Sequence, residues 1–308
     1  MYEAHWNLES RPFESGSDSR FYYPGASHQG ALLKLRYAVE NRRAAAVLCG
    51  TAGLGKTLLV QALATQLGET YTPVVHLVFP QMPSDELLAY LADELEAGVA
   101  RSADESHSGG TAATTSSEED QGAAADASRN GTKHAANRIS TVEQHVRRLQ
   151  HALTQNARGG RHAVVIVDEA HLLAASGALE TMRLLLNFEH ESRPTMTLIL
   201  VGAPSLLPAL ARFPELDSRM AVKCLLRSFT PEESLAYVDH RLSAAGARQP
   251  IFDRGAIHSV HALCNGNPQR INRLCDLALL IGYAEELHGI GTPQVEAIAQ
   301  DLVAVTPE

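Results

Sequence analysis

The residues with the clearest chemical content are Gly50-Thr51-Ala52-Gly53-Leu54-Gly55-Lys56-Thr57, which match G-x-x-x-x-G-K-[ST] at every fixed position. The glycines let the backbone curl until its N–H groups converge on one point, and a helix starting there adds a favourable partial charge for an anion. The candidates to hold a triphosphate are therefore Gly50, Ala52, Gly53, Leu54, Gly55, Lys56, Thr57 and Leu58. Lys56 is expected to reach the β and γ phosphates, and Thr57 to hold Mg²⁺ through its hydroxyl. A second metal partner comes from the apolar run Ala163 to Val167, which ends on Asp168-Glu169. Asp168 is expected to complete the Mg²⁺ shell, and Glu169 to act as the base that polarises the attacking water. The pairing predicts ATP and Mg²⁺ as the ligands and hydrolysis as the reaction.

Arginines that could complete such a site lie further along the chain. Arg219, in Leu216-Asp217-Ser218-Arg219-Met220, stands after a helix and before the apparent final strand Ala221 to Leu226. That place suits an arginine offered to the γ-phosphoryl group on a neighbouring subunit, the other reading being a surface ion pair. Arg270 and Arg273 open the helix that begins at Pro268; Arg270 is the candidate to lean onto bound nucleotide, and Arg273 is read as structural. Asp168-Glu169-Ala170-His171 invites a DEAH-helicase reading, which is set aside because too little chain remains for a second motor domain. His171 is read as a local hydrogen-bonding residue.

The elements that must position these residues follow from periodicity. Residues 1–26 read as an irregular, aromatic-rich N-terminal extension that packs on the main body, and residues 27–227 as an α/β nucleotide-binding domain. Within it, residues 99–138 lose all periodicity and contain no Leu, Ile, Phe, Met, Tyr or Trp. Such a segment cannot bury enough surface to offset its ordering entropy, so it is expected to be a disordered insertion. Order is expected to return with a capping box at Ser140 and Glu143. Residues 228–308 show helical signals alone: Thr230-Pro231-x-Glu233, Asp253, Asn267-Pro268 and Thr292-Pro293. The fold class is α/β, a P-loop domain followed by a small all-helical one.

Composition bounds the partners. The net charge is -9, and the small positive balance is confined to residues 139–229, so no concentrated basic face advertises a duplex-binding domain. The four cysteines lie in apolar stretches without C-x-x-C spacing, which reads as buried thiols rather than a zinc site or other metal cluster. Apolar runs fall short of the roughly 18 to 20 residues needed to span a bilayer, and the charged, polar opening around Trp6 is not expected to act as a secretory leader. A cytoplasmic location is expected.

With these residues in view, the chain resembles the ExeA/GspA-type AAA+ ATPases of secretion and cell-envelope assembly. The likeness runs through Pro12-Phe13, Arg20-Phe21-Tyr22, His28-Gln29-x-Ala31-Leu32 and the P-loop. It continues in Leu179-Glu180-x-Met182-Arg183-x-Leu185-x-Asn187-Phe188-Glu189, Gly202-Ala203-Pro204, Tyr237-x-x-His240-Arg241-Leu242 and Gly266-Asn267-Pro268-Gln269-Arg270. The resemblance implies a five-stranded parallel sheet in the AAA+ order, a helical lid from about Ser228, a homo-oligomeric ring or filament, and ATP-driven or ATP-gated assembly of a secretion, pilus or exopolysaccharide apparatus. Ala203 stands where the family has a polar sensor, Gln269 where it has a sensor arginine, and His171 where glutamine is common. Slow turnover without a partner is therefore expected. Known members also carry a membrane span and a peptidoglycan-binding region, so an envelope role here is expected to work through a membrane-protein partner at the inner membrane. Two alternatives stay open. One is an ATP-dependent DNA-binding regulator of the TniB and TnsC sort, supported by Arg138, Arg147, Arg148, Arg158 and Arg161. The other is a nucleotide-gated scaffold with little turnover.

Overall fold

In a computed structural model that describes residues 1–14, 19–108 and 141–304, the chain begins with α1 (Ala26–Glu40), β1 (Ala45–Cys49), α2 (Lys56–Gln66), β2 (Val74–Leu77) and α3 (Ser84–Ser108). Next come α4 (Val142–Arg158), β3 (Ala163–Val167), α5 (Leu173–Ser176), α6 (Ala178–Leu185) and a short hairpin of β4 (Glu189–His190) and β5 (Arg193–Pro194). The α/β part closes with β6 (Met196–Gly202), α7 (Leu206–Ala211), α8 (Pro214–Asp217) and β7 (Met220–Leu225). Five strands form one parallel sheet in the order β2-β3-β6-β1-β7. Every residue of β1, β3 and β6 is buried, because helices cover both faces of a parallel sheet and leave no strand side for water.

The pleat divides those apolar residues between two cores. Val47, Val165 and Leu198 face the layer that holds α3, α4 and α6, while Leu48, Ile166 and Ile199 face α1 and α2. In register, Cys49 lies beside Gly202 and Val167 beside Leu200, so the loops leaving β1, β3 and β6 emerge together at one edge. The chain leaves β1 in mid-sheet and next forms the edge strand β2, and a crevice at such a reversal is where open α/β sheets bind ligands.

A third core belongs to the helices α9 (Pro231–Ala244), α10 (Arg254–Cys264), α11 (Pro268–Ala284) and α12 (Thr292–Ala304). Thr230 and Glu233 form a reciprocal capping box, Asp253 caps α10, and Asn267 caps α11 with Pro268 at its first position. Tyr2, Trp6, Leu8 and Phe13 are buried in this helical core, and Trp6 Nε1 donates to Leu279 O at 2.9 Å. The N-terminal aromatics therefore pack on the helical region rather than on the α/β body.

Two expectations need correction. Helix α3 continues to Ser108, into the segment 99–138 read as disordered, and the remainder of that segment lies outside the described residues. The expected cap at Ser140 also lies outside them. Thr141 caps α4 instead, its hydroxyl accepting from Gln144 N while Gln144 Oε1 accepts from Thr141 N. Glu143 is one position too early to close that box, and it pairs with Arg147 at 2.6 Å.

Candidate nucleotide site

The loop after β1 carries Gly53 and Gly55 at φ +80° and +81°, left-handed values that a side chain would strain. Lys56 opens α2 and is 7% exposed; its Nζ donates to Gly50 O at 3.0 Å and Thr51 O at 3.1 Å. Thr57 follows, and its hydroxyl donates to Asp168 Oδ2 at 2.6 Å. Asp168 stands just past β3 and is 3% exposed. Burial pushes its pKa up, but the His76 imidazole, the Thr57 hydroxyl and the Glu169 N–H at 2.9 Å favour the charged form and leave it below the ordinary carboxylate range. His76 Nε2 lies 3.9 Å from Asp168 Oδ2, an electrostatic approach rather than a hydrogen bond.

Glu169 adopts a left-handed backbone, φ 49° and ψ 32°, and its side chain is 49% exposed. It lines a cleft of about 430 Å³ together with Ala52, Gly53, Gly55, Lys56, Thr57 and Leu58. The opposite wall comes from the helical domain: Tyr237, Arg241, Pro268, Gln269 and Asn272. Leu54 is different, since its side chain is buried in the core and its carbonyl receives His28 Nε2 at 2.7 Å. Burial lowers the His28 pKa, so the ring is a neutral donor bracing the loop from α1. That bracing role was missed from sequence, where the signal is a histidine on the buried stripe of α1 with Ala31 and Leu35.

The first turn of α11 rests directly on the loop. Asn267 Nδ2 donates to Ala52 O at 2.8 Å, and Gln269 N to Gly53 O at 3.3 Å. Arg270, about 100° further round the helix, does not line this cleft. It faces an adjoining one of about 570 Å³, with Arg11, Arg273 and Asp276. Arg219 lies elsewhere again. Met220, its neighbour, pairs with Ala45 at the start of β1, so Arg219 sits at the end of the sheet opposite its own P-loop, half-buried and donating through Nη2 to Asn187 Oδ1 at 2.7 Å.

Burial raises all four thiols, Cys49 and Cys264 to about 11, which removes them from nucleophilic chemistry at neutral pH.

Comparison with known proteins bears on the family and the fold. A family model described as "AAA domain" matches residues 39–210. General secretion pathway protein A from Aeromonas hydrophila is 28% identical across 100% of this chain, which spans 50% of that relative's length. Among solved structures, the ORC2 protein of Aeropyrum pernix superposes with a TM-score of 0.64 at 13% identity, over 97% of this chain and 73% of that one. Cdc6p of Pyrobaculum aerophilum gives 0.62 at 14% identity, over 96% and 74%. These two likenesses concern the fold. With the family match covering more than half the sequence, on a five-stranded parallel sheet with a P-loop at its edge, the chain belongs to the AAA-domain family and is an ATPase.

Proposed function

We propose that the chain binds ATP with Mg²⁺ between the β1 loop and α11, hydrolyses it with Glu169 as base, and thereby drives or gates assembly of a secretion, pilus or exopolysaccharide apparatus. The observation that carries the catalytic part is the 2.6 Å contact of Thr57 with an ionised, buried Asp168, beside Lys56 and Glu169 in one cleft. The donor set fits magnesium: Thr57 and Asp168 offer hard oxygens. Among the described residues no group of three or more His, Cys, Asp or Glu gathers elsewhere to hold a metal. Held there, Mg²⁺ would neutralise charge on the β and γ phosphate oxygens. The N–H groups of Gly50 to Leu58 cradle the phosphates, and Lys56 exchanges its present carbonyl partners for phosphate oxygens. Arg219 cannot reach its own chain's cleft, so its role requires a second copy, which makes a homo-oligomer part of the proposal. Gln269 is the residue seated on the loop, and Arg270 would have to swing from the adjoining cleft to touch nucleotide.

The apparatus reading is supported by similarity, over the whole chain, to a relative named as a general secretion pathway protein. Among the described residues no helix is long and apolar enough to cross a membrane. The scaffold alternative draws support from Ala203, which brings only a methyl group, and from Gln269 in place of a cation at the loop. The DNA alternative loses support because Arg148 is paired with Asp93 and Glu96, and Arg147 with Glu143.

The test is ATP affinity and turnover, with and without Mg²⁺ and duplex DNA, for the parent, Lys56→Ala and Glu169→Gln. Lys56→Ala should lose affinity by about tenfold or more, and Glu169→Gln should keep affinity while losing turnover by on the order of 100-fold. Unchanged turnover in Glu169→Gln removes it as base. An ATP-dependent rise in mass supports assembly, and ATP-dependent, salt-sensitive retention on DNA would favour the DNA reading.

A further inference from the structure

A trans peptide is flat, so each C=O and the N–H of the following residue point in opposite directions from one rigid plane. Holding the carbonyl therefore aims the N–H. The peptides of the β1 loop are trans, and four successive planes between Ala52 and Lys56 have their carbonyls held. Gly55 O accepts from Leu59 N at 3.0 Å, which is the first turn of α2 itself. The three planes before it precede that helix, and their bonds come from other elements. Ala52 O accepts from Asn267 Nδ2 at 2.8 Å, Gly53 O from Gln269 N at 3.3 Å, and Leu54 O from His28 Nε2 at 2.7 Å. The N–H groups aimed by these three bonds are those of Gly53, Leu54 and Gly55, where the left-handed φ values curl the loop. Each accepted bond also polarises its plane and strengthens the N–H as a donor.

Two side chains do most of this. Asn267 divides its amide: Oδ1 accepts from Gln269 N at 3.0 Å and Arg270 N at 3.2 Å, which caps α11, and Nδ2 goes to the loop. His28 is 3% exposed on α1, and its Nδ1 has no partner among the described residues, so its bond to Leu54 O is the polar contact that its burial leaves it.

We infer that Asn267 and His28 are positioning residues for the phosphates, aiming the Gly53 and Gly55 N–H groups by holding Ala52 O and Leu54 O. The cradle is then completed by α11, more than 200 positions along the chain, and phosphate affinity depends on that helix being seated on the loop. The inference rests on the reading of the β1 loop as the phosphate site. It differs from a general bracing role because it acts on the phosphate chain and not on the rest of the nucleotide.

The experiment uses the full chain. Calorimetric titrations with ATP and with inorganic tripolyphosphate, both with Mg²⁺, are made on the parent, Lys56→Ala, Asn267→Ser, His28→Gln and His28→Asn, with urea unfolding alongside. Serine at 267 keeps an uncharged oxygen to cap α11 but has no amide to reach Ala52 O. Glutamine at 28 carries an amide nitrogen near the place of Nε2, and asparagine falls short of it. A hydrogen bond to a charged group is worth about tenfold or more in affinity. Asn267→Ser and His28→Asn should therefore each bind ATP and tripolyphosphate about tenfold more weakly than the parent, and His28→Gln should stay within about threefold. Lys56→Ala should lose affinity for both ligands. The assignment of Asn267 is overturned if Asn267→Ser weakens ATP but leaves tripolyphosphate at the parental affinity, because Asn267 would then act through the far wall of the cleft. The assignment of His28 is overturned if glutamine restores no more than asparagine. A parent that binds neither ligand overturns the nucleotide site, and this inference with it. Loss of both ligands in Lys56→Ala, beside parental affinities in Asn267→Ser and His28→Asn, sinks this inference alone.

Discussion

Replacing Thr57 by valine removes one hydroxyl from beneath the nucleotide cleft at nearly constant volume, and the structure fixes what that should cost. The Thr57 hydroxyl is the closest of the donors on the Asp168 carboxylate, at 2.6 Å against 2.9 Å for the Glu169 N–H, with His76 farther away at 3.9 Å. A hydrogen bond to a charged group contributes about 1.5–3 kcal/mol net. The Thr57 side is partly open to solvent, so the lower half of that range applies, and an unfolding free energy about 2 kcal/mol below the parent is expected for nucleotide-free protein at pH 7. The double-mutant cycle with Asp168→Asn isolates the contact: valine at 57 should cost much less once the charge is gone, a coupling of about 1–2 kcal/mol. Thr57→Ser, which keeps the hydroxyl, should stay close to the parent. Acid titration adds a signed check. A carboxylate whose folded pKa is depressed contributes stability that is complete above its unfolded value of about 3.9, and that is lost as pH falls through the folded value. Without the Thr57 donor the folded value rises toward the ordinary one, so this part of the acid loss, which begins at the unfolded value, should be smaller and be complete at higher pH. Coupling near zero, with Thr57→Val as stable as the parent, would refute the claim that Thr57 holds Asp168.

Two further substitutions test the surroundings. Gly53→Ala places a Cβ at φ +80°, costing about 1–2 kcal/mol, and within 2.6 Å of Gln269 Oε1 and 2.7 Å of Gln269 Cβ, so α11 must move off the loop. Thermal melting and ATP affinity should both fall, and parental values for both would mean that α11 is not seated on the P-loop. His162 is buried, and that burial, with Arg42 nearby, pushes its imidazole down to about 4. It folds neutral but is protonated in the unfolded chain below about 6.5, so stability should fall by about 3 kcal/mol as pH drops from about 6.5 to about 4. Thr197 Oγ1 donates to Arg43 O and accepts from His162 Nε2 at 2.8 Å, a bond that glutamine can replace. Urea unfolding of His162→Gln should lack that pH-dependent loss, and equal acid sensitivity in both proteins would remove His162 as its source.

What could be read in the sequence was whatever local geometry demands. The P-loop is such a case, because its glycines, lysine and threonine each meet a requirement of the backbone a few residues away. Strands β1, β3 and β6 were also legible, since burial on both faces leaves uninterrupted apolar runs. The helical starts at Thr230, Asp253 and Asn267 carry their caps in the chain itself. The hairpin of β4 and β5 was not legible, because its turn uses Glu191 and Ser192 at φ 51° and 61° rather than the glycine or asparagine that would announce it. The far end of α3 was equally hidden. Leu87, Leu88, Leu91 and Leu95 anchor its first turns in the core, and once a helix is nucleated it can propagate into a stretch whose sequence lacks large apolar residues. The choice between Gln269 and Arg270 at the loop was out of reach for another reason: it depends on the rotation of α11, which is set by contacts with Ala52 and Gly53 more than 200 positions earlier.

That helix also ties together parts of the chain that the sequence presents as separate. Its first turn bonds the P-loop through Asn267 and Gln269, its middle receives the Tyr2 hydroxyl on Asp276, and Leu279 O accepts from Trp6. The extension is fixed a second time by Arg241, which is buried, donates to Pro12 O and Glu14 O, and stacks 4.7 Å from the Phe21 ring. Arg241 and Glu14 both line the nucleotide cleft as well. A helix of this length moves as one body, because bending it would break its own hydrogen bonds. Any change at the phosphate loop that shifts the start of α11 must therefore be taken up by the N-terminal segment, so these residues belong mechanically to the nucleotide site although they touch it mainly through α11 and Arg241.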